Sequence, residues 1–132
     1  MSEPSIFTRI VRGEIPCHKI YEDDETLAFL DIHPITPGHT LVIPKKQFVT
    51  VWEMDDESYG KLMQVTKWLA QHLQSKLGTT YIGEQIVGVD VPHAHIHLIP
   101  FSAEHEFQRK PDMNGEPDHE LLANMAKRLL VQ

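Results

Sequence analysis

Residues Asp55 to Leu77 constrain the fold more than any other segment. Tyr59, Leu62, Met63, Thr66, Leu69, Ala70, Leu73 and Leu77 recur at i, i+3, i+4 and i+7 and make one mostly apolar stripe. That spacing predicts an amphipathic helix of about six turns. Asp55 can cap it, Asp56 and Glu57 suit its positive end, and Gly78 ends it. A stripe of that length needs a broad apolar surface to cover, and the rest of the chain supplies strands.

Cys17–Tyr21 and Thr26–Ile32 read as a hairpin turning at Glu22–Glu25. A loop with two prolines, His33–Gly38, precedes a third strand at His39–Ile43, which Pro44 stops. Thr79–Val87 and Ala94–Phe101 read as two more strands joined by Gly88–Pro92. Ser5–Val11 is a short helix with Ser5 as N-cap, and Asp118–Val131 is a final amphipathic helix. The polar stretch Ser102–Pro117 reads as an extended arm or loop. Short turns between neighbouring strands favour antiparallel pairing. The expected class is α+β: a two-layer domain with an antiparallel sheet of about five strands, one long helix covering a face, and a C-terminal helix.

At 132 residues the chain suits a single domain over 1–132, with no Gly/Ser linker or repeat dividing it. Nineteen acidic residues against twelve basic ones argue against a nucleic-acid binder. The one cysteine, Cys17, rules out an intrachain disulfide framework. No stretch approaches the ~18 apolar residues of a membrane span, and the first residues lack the pattern of a secretory leader. The expected location is therefore the cytoplasm. What composition leaves to explain is nine histidines.

Three of them stand in Pro92–His93–Ala94–His95–Ile96–His97–Leu98–Ile99–Pro100. On a strand, alternate side chains share a face, so His93, His95 and His97 point one way at steps of about 7 Å, and Ala94, Ile96 and Leu98 point into a core. One apolar face backed by one imidazole face is an arranged site. Imidazoles so arranged can bind a metal, shuttle protons or act as a nucleophile. A merely polar strand face is the bland alternative.

The run resembles the His-x-His-x-His-x-x signature of the histidine triad (HIT) family. The match extends upstream through Ile6–Phe7, Gly13–Pro16, Tyr21–Asp23, Leu27–Ile32 and Pro37–Lys45, so it covers residues 6–100 and leaves 101–132 as an extension. It is nearest the Hint-like branch of nucleotide phosphoramidases and hydrolases. The resemblance implies transfer of a nucleotidyl group to water without a cofactor. His95 would attack the α-phosphorus and carry a nucleotidyl-histidine intermediate. His93 and His97 would flank the phosphate, and His39 would support the triad from the neighbouring strand. Asp31 would hold the ribose hydroxyls. Phe7, Ile10, Phe29 and Ile32 would sandwich a purine base. A homodimer is also implied.

The chain departs from the family pattern at two places. Many bacterial relatives hold a structural zinc with a Cys-x-x-Cys pair and a later histidine. Here those positions read Ser5–Ile6–Phe7–Thr8 and Gln47, which are poor zinc ligands, so no metal is expected. Before the triad, Val89 and Asp90 replace the usual glutamine and hydroxyl residue, which puts the leaving-group preference in question. Asp90 can repel a phosphate, orient a histidine or simply turn the chain. Two competing functions remain: a non-catalytic nucleotide sensor or scaffold, and a metal protein using His93, His95 and His97. The remaining histidines, at 18, 33, 72, 105 and 119, are read as incidental.

Overall fold

The computed structural model describes residues 3–131. The elements run α1 (Ile6–Val11), β1 (Lys19–Glu22), β2 (Thr26–Leu30), β3 (Thr40–Pro44), α2 (Asp56–Leu77), β4 (Tyr81–Gln85), β5 (Ile96–Phe101), α3 (Glu104–Phe107) and α4 (His119–Leu129), with a 3-10 turn at Val51–Glu53. The five strands form one antiparallel sheet in the order β1-β2-β3-β5-β4. This is the expected α+β architecture. Among the described residues no helix is long and apolar enough to cross a membrane.

The long helix forms as its spacing predicts. The Asp55 carboxylate accepts the Ser58 N–H at 3.1 Å, and Gly78 closes the helix at φ 69° in the left-handed region where a side chain would be strained. Leu62, Leu69 and Leu73 bury completely against Ile20, Ala28, Val42, Ile96 and Leu98, and α4 adds Leu122 and Leu129. Each such leucine contributes about 1.5–3 kcal/mol by leaving water.

The expectation of one covered face is incomplete. Every residue of β2 and β3 is buried, because α1 covers the second face at that end. There Phe7, Leu27, Phe29, Leu41 and Ile43 make a separate small core. That second face carries the candidate site residues.

Three local expectations need correction. The triad strand starts at Ile96 rather than Ala94, so His93 and His95 lie in an irregular segment ahead of it. In place of ladder pairing, His93 N–H bonds Val91 C=O and Ala94 N–H bonds Phe48 C=O. The arm also contains a short helix, α3. Its start is held by the Glu106 carboxylate, which accepts the N–H groups of Ser102 and Ala103 at 3.0 and 2.7 Å. Finally, β1 begins at Lys19, leaving Cys17 and His18 outside it.

Candidate active site

Alternation survives where strand geometry does not. Ala94, Ile96 and Leu98 face the helix-side core, and His93, His95 and His97 face the opposite side. The rings of His95 and His97 are 5.1 Å apart, closer than regular strand spacing gives. Phe7 stands edge-on to both His93 and His95, at 5.8 and 5.1 Å.

Hydrogen-bond partners fix the proton on each imidazole. His95 Nδ1 is 2.8 Å from the His93 carbonyl, which can only accept, so Nδ1 holds the proton and Nε2 keeps its lone pair. The backbone N–H of Ile35 points at His39 Nδ1 at 3.0 Å, so that nitrogen is bare and Nε2 holds the proton. His39 Nε2 then donates to His97 Nδ1 at 3.0 Å, which leaves His97 Nε2 carrying an N–H. The site therefore presents one lone pair, on His95, beside one donor, on His97.

Burial disfavours charge on His39, His97 and His93. It lowers His39 to about 3, with His97 adding to the effect. It lowers His97 to about 4, with His95 adding to the effect and the Asp90 carboxylate opposing it. His93 is lowered too, chiefly by burial. The same desolvation raises Asp31.

His93 does not sit where a flanking role would need it. It is fully buried. Nε2 donates to the Pro44 carbonyl at 2.7 Å, and Nδ1 meets the Ser5 hydroxyl at 2.8 Å. Both ring nitrogens are thus occupied behind the site, and the residue faces the cleft only through its backbone carbonyl bond to His95.

The cleft in front of His95 and His97 has a volume of about 330 Å³. Phe7, Ile10, Phe29, Leu41 and Ile32 make its apolar walls, and Asp31 stands at its polar end with the two histidines. Phe7 and Phe29 meet edge to face at 5.6 Å. A second lobe of about 230 Å³ opens on the far side of the same histidines, lined by Ile35, Gln85, Val87, Val89 and Pro111. Asp31, His33, Asp90 and Met113 border both lobes. All the base- and ribose-contact candidates, with Asp90, thus converge on one cleft.

The structure adds further lining residues to these candidates. Gln85 pairs in register with His97, so it enters the second lobe beside the triad. Met113 and Pro111 arrive from the arm, which Arg109 ties down by donating to the Ile35 carbonyl. Nothing in the spacing of residues 102–117 signals that return. Cys17 also lines the first lobe, its thiol pushed up by burial.

Asp31, His39 and His97 bring potential metal-ligand atoms within 4.8 Å of one another, a different set from the triad itself. The chemistry there opposes coordination. A ligating His39 Nε2 would have to be bare, which would put the proton on Nδ1 against the Ile35 N–H. The zinc that the family resemblance raises fails a similar test. Ser5 and Thr8 offer neutral hydroxyls and Gln47 an amide oxygen, and that oxygen already accepts the Ser5 N–H at 2.7 Å and the Thr8 hydroxyl at 2.6 Å.

Known proteins match this arrangement. The HIT domain family matches residues 12–104. A HIT-like protein of Borreliella burgdorferi is 41% identical over 102 residues, covering 72% of this chain and 73% of that protein. Adenosine 5'-monophosphoramidase hnt1 of Schizosaccharomyces pombe is 38% identical over 96 residues, 72% of each chain. The crystal structure of a Hit-like protein from Bartonella henselae, described as involved in cell-cycle regulation, superposes with TM-score 0.85 at 29% identity, over 98% of this chain and 96% of that one. With His39, His95 and His97 gathered at one cleft and a family match that spans most of the sequence, the chain belongs to the HIT family.

Proposed function

We propose that the protein is a nucleotide hydrolase or nucleotidyl transferase acting at the α-phosphate of a purine nucleotide conjugate. One observation carries this reading. The proton of His95 is held on Nδ1 by the His93 carbonyl, and His95, His97 and Asp31 share one cleft with apolar walls. The similarity to a relative named as an adenosine 5'-monophosphoramidase supports a P–N bond as one target.

In this reading the base lies between Phe7, Phe29, Ile10 and Ile32, and the Asp31 carboxylate accepts the ribose hydroxyls. His95 Nε2 attacks the α-phosphorus while His97 Nε2–H donates to a phosphate oxygen. His97 keeps that N–H throughout. The departing nitrogen or oxygen takes a proton from water in the open cleft as its bond to phosphorus breaks. Water then attacks the nucleotidyl-His95, returns a proton to the solvent, and releases the nucleoside monophosphate. His39 holds His97 in its tautomer. Asp90, at the junction of the lobes, faces the leaving group. A homodimer belongs to the same reading, and β4 offers it an unpaired sheet edge.

Steady-state assays with an adenosine phosphoramidate and a dinucleoside polyphosphate test it. Release of nucleoside monophosphate by the wild type and its loss in His95→Ala are the expected results. Binding without turnover across both substrates would make the protein a sensor or scaffold instead.

A further inference from the structure

Ser5, Thr8 and Gln47 form a closed hydrogen-bond cluster around His93. Ser5, Thr8 and His93 are buried, and every proton in the group has a destination. The Thr8 hydroxyl donates to Gln47 Oε1 at 2.6 Å. Gln47 Oε1 also accepts the Ser5 backbone N–H at 2.7 Å, and Gln47 Nε2 donates to the Glu3 carbonyl at 2.9 Å. With the Thr8 proton committed, the Ser5 hydroxyl, 3.3 Å from Thr8 Oγ1 and 2.8 Å from His93 Nδ1, gives its proton to the imidazole. Thr8 Oγ1 lies 3.2 Å from the same nitrogen. Opposite, His93 Nε2 donates to the Pro44 carbonyl. Only one tautomer of His93 satisfies both sides.

We propose that Ser5, Thr8 and Gln47 are positioning residues for the nucleophile, doing with hydrogen bonds what a bound metal does for a ligating histidine. The cluster locks the ring of His93 and with it the peptide whose carbonyl holds the His95 Nδ1 proton. The cluster that holds the His93 ring thus sets the place of the carbonyl that leaves the lone pair on His95 Nε2. Ser5 has a second duty as N-cap of α1, accepting the Thr8 N–H at 3.0 Å, so the helix that carries Phe7 and Ile10 to the cleft is tied to the same point. The effect on turnover rests on the function proposed above; the effect on the histidine resonances does not.

The test is nitrogen NMR on protein with 15N-labelled histidine, which distinguishes the two neutral tautomers, run alongside kinetics. In the wild type, His93 is expected with its proton on Nε2 and His95 with its proton on Nδ1. Ser5→Gly removes the hydroxyl and keeps a residue tolerated at N-caps. It is expected to shift the ring-nitrogen resonances of His93 and His95 as the ring and its peptide loosen, and to lower kcat about 10-fold with KM changed less than about 2-fold. Ser5→Thr is expected to restore both readouts. Unshifted His95 resonances in Ser5→Gly would overturn the proposal even if the protein proves active. Shifted resonances that Ser5→Thr restores, in a protein without turnover, would uphold it and remove the proposed activity instead.

Discussion

His39 Nε2 lies 3.0 Å from His97 Nδ1, and the proton between them belongs to His39 because the Ile35 N–H occupies the other ring nitrogen. Two neutral imidazoles in sequence therefore deliver a fixed N–H into the cleft. Asp31 Oδ2 lies 3.6 Å from the same His39 nitrogen, close enough to reinforce its polarity without taking the proton.

Removing that donor leaves His97 free to choose its tautomer. His39→Leu is predicted to lower kcat by about 10- to 100-fold, the usual cost of an outer partner of a working histidine, with KM nearly unchanged. Steady-state kinetics on a phosphoramidate substrate check it. An unchanged kcat would show that His97 needs no partner.

The same burial sets the response to acid. Native His39 and His97 take up protons only near pH 3 and 4, whereas in the unfolded chain they do so near 6.5. Below about pH 6.5 the unfolded chain binds protons that the native one refuses, so stability is complete above that pH and declines as pH falls toward 4. Each histidine contributes a slope of at most about 1.4 kcal/mol per pH unit, and His97, open to the cleft, contributes less than His39. Asp31, raised by burial, gives a slope of opposite sign in the carboxylate range. Urea unfolding at pH 7 and pH 5 is predicted to show a lower midpoint at pH 5, and His39→Leu is predicted to shrink the difference.

A methyl group on Gly83 would run into the ring of Phe107 on α3. Gly83→Ala is therefore predicted to push α3 off β4 and loosen the arm that brings Pro111 and Met113 to the cleft. Limited proteolysis should cut between residues 102 and 117 several-fold faster than in the wild type, while the midpoint of global unfolding moves little.

Asp90 borders both lobes. Among the described residues no lysine or arginine lines either one. A carboxylate in that position repels an anionic leaving group by about 1 kcal/mol or somewhat more at partial solvent exposure. Asp90→Asn is predicted to raise kcat/KM for a dinucleoside polyphosphate about 10-fold relative to an amine-bearing phosphoramidate. A constant ratio would assign Asp90 to the turn alone.

Much of this was legible in the residues. Periodicity placed α2 and its caps because Asp55 and Gly78 mark its ends chemically. The triad's two-faced pattern separated core from site because Ala94, Ile96 and Leu98 can only go inward. What pattern could not supply was direction at close range. A two-residue period says that His93 and His95 share a face, but the chain leaves strand geometry at that point and buries His93 behind His95. Ser5, Thr8 and Gln47 read as lost ligands, since only the fold brings position 47 against position 5. The short helix in the arm stayed unread because four residues held by one carboxylate have no periodicity to detect.

The central claim is that His95 Nε2 is the nucleophile. Rapid mixing with an adenosine phosphoramidate, acid quench within the first turnover and peptide mass spectrometry test it directly. An adenylyl group on the peptide carrying His95, forming and decaying at rates that account for kcat, is the predicted result. Full turnover with no adduct on that peptide, or an adduct that persists in His95→Ala, would contradict it.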